Sequence, residues 1–283
     1  MAVAASPSLR NIPSFNGARV DRAPASGTGS VQPDPNFMTS LARGLAVIQA
    51  FSDRKRHVTI SQLSGKTGLS RAAVRRCLYT LRQLGFAGCD DHGRFFLRPR
   101  ILLLGHSYLS TMPLSTAAQP ILEHLGHLLH ESASVATLDD QDIIYVARVH
   151  VTRVMGIELG VGSRLPSFCT SLGRVLLAHL EPDDMEAYLS RARFTRYTEH
   201  TIVSADTLRQ VLGLVRGSGY SIVDQELEIG LRSMAVPIIT ANGKAVAALN
   251  VGAHAQRVSI QQLESKFLPH LRAAAQELGS MLR

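Results

Sequence analysis

The chain has 283 residues, of which 45% are hydrophobic, so it is long enough for two domains with cores of their own and is not disordered throughout. Its formal net charge of +8 is unevenly distributed, because residues 1–110 hold 15 Lys and Arg against 5 Asp and Glu, whereas residues 111–283 hold 15 against 17. A basic segment beside a near-neutral one favours a polyanion-binding module joined to a second domain, and it argues against a uniformly basic enzyme.

The sequence contains no membrane-spanning or disulfide-forming pattern. No apolar run approaches the roughly 20 residues of a membrane helix, and no continuous apolar core follows Met1. The three cysteines, Cys77, Cys89 and Cys169, are too widely spaced for a disulfide framework. We therefore expect a protein of the reducing cytoplasm without a membrane partner.

The first 37 residues are rich in Ala, Ser, Gly and Pro and contain few large apolar side chains. Such a segment cannot bury enough surface to offset its ordering entropy, so residues 1–37 are predicted to be a disordered tail. Folding is predicted to start with a helix that Thr39 or Ser40 caps. Four apolar residues then recur on one face of this helix: Leu41, Leu45, Ile48 and Phe51.

Residues 38–98 have the pattern of a winged helix-turn-helix. Thr59 and Gln62 form a capping-box signature for a second helix, and Gly68 permits a left-handed turn after it. Ser70 is predicted to cap a third helix. The buried face of that helix is predicted to consist of Val74, Cys77, Leu78, Leu81 and Leu84. Two apolar segments around the turn signal at residues 90–93 predict a β-hairpin, the wing.

Arginines lie on the open face of this third helix. A guanidinium presents forked donors to guanine edges and phosphates, and a helix N-terminus suits a phosphate. The residues predicted to contact double-stranded DNA are Thr59, Ser70, Arg71, Arg75, Arg76, Tyr79, Arg82 and, on the wing, Arg94. The alternative is an ordinary solvated face, but the capped turn, the charge asymmetry and the wing favour DNA binding.

The rest of the chain is predicted to be a linker helix over residues 99–113 and an α+β domain over residues 114–283. A helix to about Ser132 precedes strand-like segments at 134–138, 142–149 and 154–159. Three helices follow, and two late strands then meet at Asn242-Gly243. A final helix from Ser259 to about Leu282 is predicted to bury Leu263, Phe267, Leu271, Ala274 and Leu278. Strands on both sides of a helical middle predict an antiparallel sheet covered by helices.

Three stretches together resemble the IclR family of bacterial transcription regulators. They are S-L-A-R-G-L-A-V-I-Q-A-F with the helix-turn-helix after it, G-S-R-L-P-S-F-C-T-S-L-G-R-V-L-L-A, and G-Y-S-I-V-D-Q-E-L-E-I-G-L-R-S-M-A-V-P-I. The last two are most similar to the subgroup that regulates protocatechuate and 4-hydroxybenzoate breakdown. The resemblance implies a GAF-like effector domain, no cofactor, no enzymatic activity, and a homodimer or a dimer of dimers. The chain departs from many family members at Val223, where they have an acid or a serine.

The effector is predicted to be a small aromatic carboxylate such as protocatechuate or 4-hydroxybenzoate. Hydroxyls and free backbone N–H groups at the start of a helix near residue 170, with an arginine nearby, suit a carboxylate. The predicted contacts are Arg148, Met155, Phe168, Cys169, Thr170, Ser171, Arg174, Asp224, Glu226, Ser233 and Asn250, of which the last two follow from the resemblance. Simpler roles are open for some of these: Cys169 as a buried hydrophobe, Arg174 as a solvated cation, and Asp224 and Glu226 as surface or interface acids.

The same residues allow three other interpretations. An enzyme with Cys169 as nucleophile needs a histidine base within reach, and no local Cys–His signature is present. A metal sensor needs a second ligand pair beside Cys89 and His92, so no metal site is predicted. A sensor of a short 2-oxo acid with the same fold stays open, because only the shape of the pocket separates it from the aromatic prediction. In each sensor, the ligand is expected to shift the effector domain between two arrangements. The linker helix is expected to transmit this change to the spacing of the two DNA-binding domains.

Overall fold

The computed structural model describes residues 34–51, 57–111, 113–151 and 159–282. The described residues form two compact units, of which the first ends at Ser107 and the second begins at Tyr108. Most of the predicted tail and the predicted contact Met155 lie outside the described residues. None of the helices in these ranges is long and apolar enough to cross a membrane.

The first unit contains three helices and a β-hairpin, which confirms the predicted winged helix-turn-helix. Its elements are α1 (Thr39–Gln49), α2 (Ile60–Thr67), α3 (Arg71–Gln83), β1 (Ala87–Cys89) and the antiparallel β2 (Phe95–Leu97). Leu63, Val74 and Leu78 are fully buried at its centre. A bridge between Val58 and Phe95 ties the segment before α2 to the wing.

Caps fix the helix-turn-helix as predicted. Thr59 Oγ1 accepts a hydrogen bond from the backbone N–H of Gln62, and Gln62 Oε1 accepts one from the N–H of Thr59. Gly68 ends α2 with a φ of +71°, a left-handed conformation that costs glycine little because it has no Cβ. Ser70 Oγ accepts the N–H of Ala73 at 3.2 Å and so begins α3.

The prediction for α1 needs two corrections. Its N-cap is Met38 rather than Thr39 or Ser40, and Met38 makes no side-chain capping bond. Leu41 and Leu45 are 58% and 47% exposed, because α1 buries Val47 and turns these two leucines away from the core of the unit.

A similar correction applies to the end of α3. Leu84 is 52% exposed because it is the C-cap of the helix and lies beyond the packed turns. Val74, Leu78 and Leu81 are buried as predicted. The 3.6-residue period thus locates the core face of α3 but extends it by one residue.

A 3₁₀ turn, Pro99–Ile101, leads into α4 (Leu102–Thr111) within the predicted linker. α5 (Pro113–Leu129) follows after it. α5 ends three residues before the predicted Ser132, because His130 adopts a φ of +55° and Ser132 already starts a strand. The early end of α5 places Ser132 and its neighbours in the sheet.

The second unit is built on a six-stranded antiparallel sheet with the order β5-β4-β3-β8-β7-β6, which confirms the predicted α+β fold. The strands are β3 (Ser132–Asp139), β4 (Asp142–Val149), β5 (Arg164–Pro166), β6 (Ser221–Asp224), β7 (Leu231–Ile239) and β8 (Ala245–His254). One face packs on α5 and on α10 (Leu268–Met281) around a shared apolar core. α6 (Ser171–Ala178) packs on the sheet and on α8 (Ala205–Ser218), which also contacts α7 (Pro182–Arg191).

Some elements of the second unit were not predicted from the sequence. β5 and β6 have only three and four residues, which is too short for an alternating pattern to identify them. The predicted strand at 154–159 lies, apart from Leu159, outside the described residues. The C-terminal helical segment starts at the capping box of Ser259 as α9 (Ile260–Gln262) and contains a π-helical turn, Leu263–Phe267. All five residues predicted for its buried face are buried.

Candidate functional site

The open face of α3 carries the arginines that were predicted to contact DNA. Its exposed residues include Arg71, Arg75, Arg76, Tyr79 and Arg82. The opposite face is held in the core by Val74 and Leu78. Within the described ranges, no acidic side chain forms an ion pair with these four arginines. The helix therefore presents a cationic surface on a rigid support, as a helix in a major groove requires.

The other predicted DNA contacts lie beside this face in the same unit. Thr59 and Ser70 serve as caps of α2 and α3. Arg94 on the wing is exposed, and its Nε donates to Asp90 Oδ2 at 2.9 Å. The backbone N–H of Arg94 donates to Asp90 Oδ1 at 2.8 Å and is the main cause of the lowered pKa of Asp90. Asp90 therefore holds the turn of the wing and partly neutralises Arg94.

Two rows of side chains on one face of the large sheet form the floor of a cavity in the second unit, which we call the sheet cavity. In the first row, Arg148, Ser134 and Asn250 are cross-strand neighbours on β4, β3 and β8. In the second row, Ser132, Gly252 and Ser233 are neighbours on β3, β8 and β7. Because successive residues of a strand point to opposite faces, the residues between them belong to the helix-covered core.

The walls of the sheet cavity come from β5, from the loop that leads into α6, and from the β6–β7 region. Their lining residues are Leu165, Cys169, Thr170, Ser171, Val223, Leu227 and Leu231, while Tyr145 and His150 complete the side of β4. The empty space between these residues is about 660 Å³, a figure that includes open solvent. The cavity thus combines a polar floor with largely aliphatic walls.

Arg148 is the arginine of the sheet cavity. Its Nη1 donates to Ser134 Oγ at 3.1 Å, and its guanidinium carbon lies 5.4 Å from the centroid of the Tyr145 ring. Its Nε is buried and has no hydrogen-bond partner in the described part of the chain, and no acidic side chain there pairs with it. Burial raises the pKa of the Tyr145 phenol, which therefore stays neutral at pH 7. A half-buried guanidinium without a counter-ion in the described part of the chain is suited to a carboxylate ligand.

Two further polar atoms at the sheet cavity lack partners. Ser171 Oγ and Asn250 Oδ1 are buried and have no hydrogen-bond partner among the described residues. Thr170, by contrast, is engaged, because its hydroxyl accepts the N–H of Gly173 at 3.2 Å and donates to the Pro166 carbonyl at 3.0 Å. Asn250 Oδ1 can only accept and Ser171 can donate or accept, so a ligand that carries both an acid and a hydroxyl group would satisfy both atoms.

Six predicted effector contacts line the sheet cavity: Arg148, Cys169, Thr170, Ser171, Ser233 and Asn250. Four others do not, and each of them is engaged by the protein itself: Phe168, Arg174, Asp224 and Glu226. Phe168 is buried against Phe194, with ring centroids 5.3 Å apart. Arg174 and Glu226 pair with each other in the interior, and Asp224 pairs with Arg232. The structure therefore does not bring these four together with the lining side chains.

Nine lining residues are not among the predicted contacts: Ser132, Ser134, Tyr145, His150, Leu165, Val223, Leu227, Leu231 and Gly252. A signal existed for two of them. Ser132 and Ser134 recur with a period of two at the start of a buried strand, which indicates a polar surface inside the domain. The aliphatic members have no such signal, because an aliphatic lining residue looks like any core residue in a sequence.

The structure also bears on the thiol and metal alternatives. Cys169 is fully buried, and burial raises the pKa of its thiol well above the usual range, which disfavours the thiolate that a nucleophile needs. The Cys89 thiol contacts the carbonyl of its neighbour Asp90, and His92 is exposed. Among the residues described, no group of three or more His, Cys, Asp and Glu side chains is placed to hold a metal ion.

Two protein-family models match the chain. The IclR helix-turn-helix domain matches residues 40–91, and the bacterial transcriptional regulator IclR C-terminal model matches residues 106–280. Together these two ranges contain α3, the turn before it and the whole sheet cavity.

Relatives of known name cover nearly the whole chain. It is 50% identical over 261 residues to the Pca regulon regulatory protein of Pseudomonas putida, with 92% of this chain and 89% of that protein covered. It is 35% identical over 252 residues to the p-hydroxybenzoate hydroxylase transcriptional activator of Acinetobacter baylyi, with 87% and 93% covered. The crystal structure of an IclR homologue from Microbacterium hydrocarbonoxydans complexed with 4-hydroxybenzoate has a TM-score of 0.72 and 25% identity, with 86% and 99% covered.

Proposed function

The chain belongs to the IclR family of bacterial transcriptional regulators, and on this premise we propose that it controls genes for the catabolism of an aromatic acid that it senses in the sheet cavity. The names of its relatives support this proposal. The relative that is 50% identical is named for the Pca regulon, and the homologue that is 25% identical has been crystallised with 4-hydroxybenzoate. In this proposal residues 38–98 bind operator DNA, residues 114–283 bind the acid, and residues 99–113 link the two.

The observation that carries the choice of ligand is the position of Arg148. Its guanidinium faces the sheet cavity without a carboxylate partner in the described part of the chain, and Ser134 orients it. A ligand carboxylate would neutralise this cation, while a ring hydroxyl would donate to Asn250 Oδ1. The aromatic ring would pack on the aliphatic walls, for example on Leu165 and Leu227. A short 2-oxo acid would satisfy the cation but leave those walls uncovered.

On the DNA side, α3 is proposed to enter the major groove with Arg71 and Arg75 on base edges or phosphates. Arg94 on the wing would reach the adjacent groove. The proposed active form is a homodimer or a dimer of dimers. Exposed leucines in the first unit support self-association, since Leu102, Leu103 and Leu104 are each more than half exposed on consecutive positions.

Calorimetric titration of the purified full chain tests the proposed effector. The panel comprises 4-hydroxybenzoate, protocatechuate, benzoate and pyruvate. We expect the two hydroxylated acids to bind more tightly than benzoate, because benzoate lacks the hydroxyl donor for Asn250, and we expect no measurable heat with pyruvate. Binding of pyruvate together with no heat from the aromatic acids would overturn the aromatic proposal in favour of a short-acid sensor.

A further inference from the structure

A buried ion pair lies behind the sheet cavity without lining it. Arg174 on α6 and Glu226 after β6 form a bidentate pair, with Nη1 to Oε1 and Nη2 to Oε2 both 2.6 Å apart. The two side chains are only 3% and 8% exposed. Taking two charges out of water is costly, so a pair in this position calls for a structural or functional explanation.

The Arg174 side of the pair holds one wall of the sheet cavity. Arg174 Nε donates to the carbonyl oxygen of Phe168 at 2.9 Å. Phe168 is followed directly by the lining residues Cys169, Thr170 and Ser171. The guanidinium therefore ties the loop before α6 to the first turn of the helix itself.

The Glu226 side holds the opposite wall. Glu226 Oε2 accepts the backbone N–H of Ile202 at 3.0 Å, and the Glu226 carbonyl accepts the hydroxyl of Thr201 at 2.6 Å. The next residue, Leu227, lines the sheet cavity. The preceding residue, Gln225, has a φ of +60°, so the backbone enters this segment in a conformation that needs support from its surroundings.

We propose that Arg174 and Glu226 are a positioning pair that sets the distance between the two walls of the sheet cavity and thereby the affinity for the aromatic acid. The proposal rests on the proposed function of the cavity. The pair is the charged link between segments that lie 52 positions apart in the sequence, and each partner is adjacent to lining residues through the backbone. Neither side chain lines the sheet cavity, so the effect of the pair would be transmitted through Phe168 on one side and Leu227 on the other.

The test compares the wild type with the double variant Arg174→Met/Glu226→Leu. Replacing both members of a buried pair with apolar residues usually preserves stability, whereas replacing one leaves an uncompensated charge. The matched control is Arg209→Met/Glu186→Leu, which removes a bidentate pair between α7 and α8, neither of which lines the cavity. Three quantities are measured: the Kd of 4-hydroxybenzoate, the melting temperature, and amide hydrogen exchange over residues 198–204 and 225–231 without ligand.

We expect the Kd of 4-hydroxybenzoate to rise at least tenfold in the double variant, with faster exchange at the Ile202 amide and a melting temperature close to that of the wild type. The control should keep its Kd within twofold. A merely structural role would lower the melting temperature and leave the Kd of the folded protein unchanged. An unchanged Kd together with unchanged exchange would overturn the proposal.

Two other outcomes need separate measurements: a double variant that does not fold, and a wild type that does not bind the acid. If the double variant does not fold, Glu226→Gln takes its place in the same measurements, since it removes the charge and keeps an acceptor for the Ile202 N–H. If the wild type gives no heat with 4-hydroxybenzoate, the proposed function fails. The exchange comparison then still decides whether the pair positions the two segments.

Discussion

Replacing Arg148 with Met should weaken binding of 4-hydroxybenzoate by a predictable amount. Removing one partner of a buried, hydrogen-bonded charge pair costs about 2–5 kcal/mol. Because the Arg148 side chain is half-buried and keeps some solvent, we take the lower part of that range, about 2–3 kcal/mol. This corresponds to a rise in Kd of about 30- to 160-fold.

The assay is calorimetric titration with two ligands, the acid and its neutral methyl ester. The ester should bind the wild type and Arg148→Met equally, because it has no charge for the guanidinium to neutralise. Arg191→Met is the matched control, since it removes an exposed arginine on α7 and should leave both affinities unchanged. A Kd for the acid within threefold of the wild-type value in Arg148→Met would refute the assignment of the carboxylate to Arg148.

Three more predictions concern the DNA-binding face, the first turn of α6 and the wing. Arg75→Ala should lower operator affinity and reduce the slope of log K against log salt by about 1 in a filter-binding titration, because one phosphate or base contact is lost. Gly173→Ala should destabilise the protein by about 1–3 kcal/mol in urea unfolding, since its Cβ would lie 2.2 Å from the Ser167 carbonyl oxygen. Asp90→Asn should lower stability at neutral pH but not in acid. Folding lowers the pKa of the Asp90 carboxyl, so its ionised form stabilises the folded state at every pH above the ordinary pKa of 3.8. This stabilisation is lost as the pH falls through the lowered pKa. The melting temperatures of the wild type and Asp90→Asn should therefore converge in acid.

Each of these predictions has a control on the same chain. Arg191→Ala makes the same charge change as Arg75→Ala and should leave the salt slope unchanged. Gly213→Ala adds a Cβ in the middle of α8 with open space around it and should be neutral or stabilising. Asp91→Asn alters the exposed neighbour of Asp90. If a variant and its control change the measured quantity by the same amount, the role proposed for that residue is wrong.

Local signals explain why the helix-turn-helix was predictable. The caps at Thr59 and Ser70 each involve a residue three positions away, and the left-handed turn at Gly68 is a property of that residue. The winged-helix fold follows from such signals together with the apolar period of α3. Local signals do not determine which residues of an apolar helix face pack against another element. The sequence pattern therefore places Leu41 and Leu45 in the core, although both are exposed in the structure.

The sheet cavity was less predictable, because its residues are brought together by strand pairing. Arg148 and Ser134 become neighbours only through the register of β3 and β4, and Asn250 joins them from β8. Arg174 and Glu226 have the residue types of a ligand site, yet the fold joins them to each other across 52 positions. Proximity in sequence led to six residues that line the sheet cavity, but it could not show which charges the protein neutralises itself.

The central claim is that one chain links the binding of an aromatic acid to the binding of DNA. Operator affinity, measured by fluorescence anisotropy with and without saturating 4-hydroxybenzoate, tests this claim most directly. We expect the acid to change operator affinity by about 5- to 150-fold, and we expect the operator to change the Kd of the acid by the same factor, because linkage is reciprocal. Saturable binding of the acid with an operator affinity unchanged within twofold would contradict it.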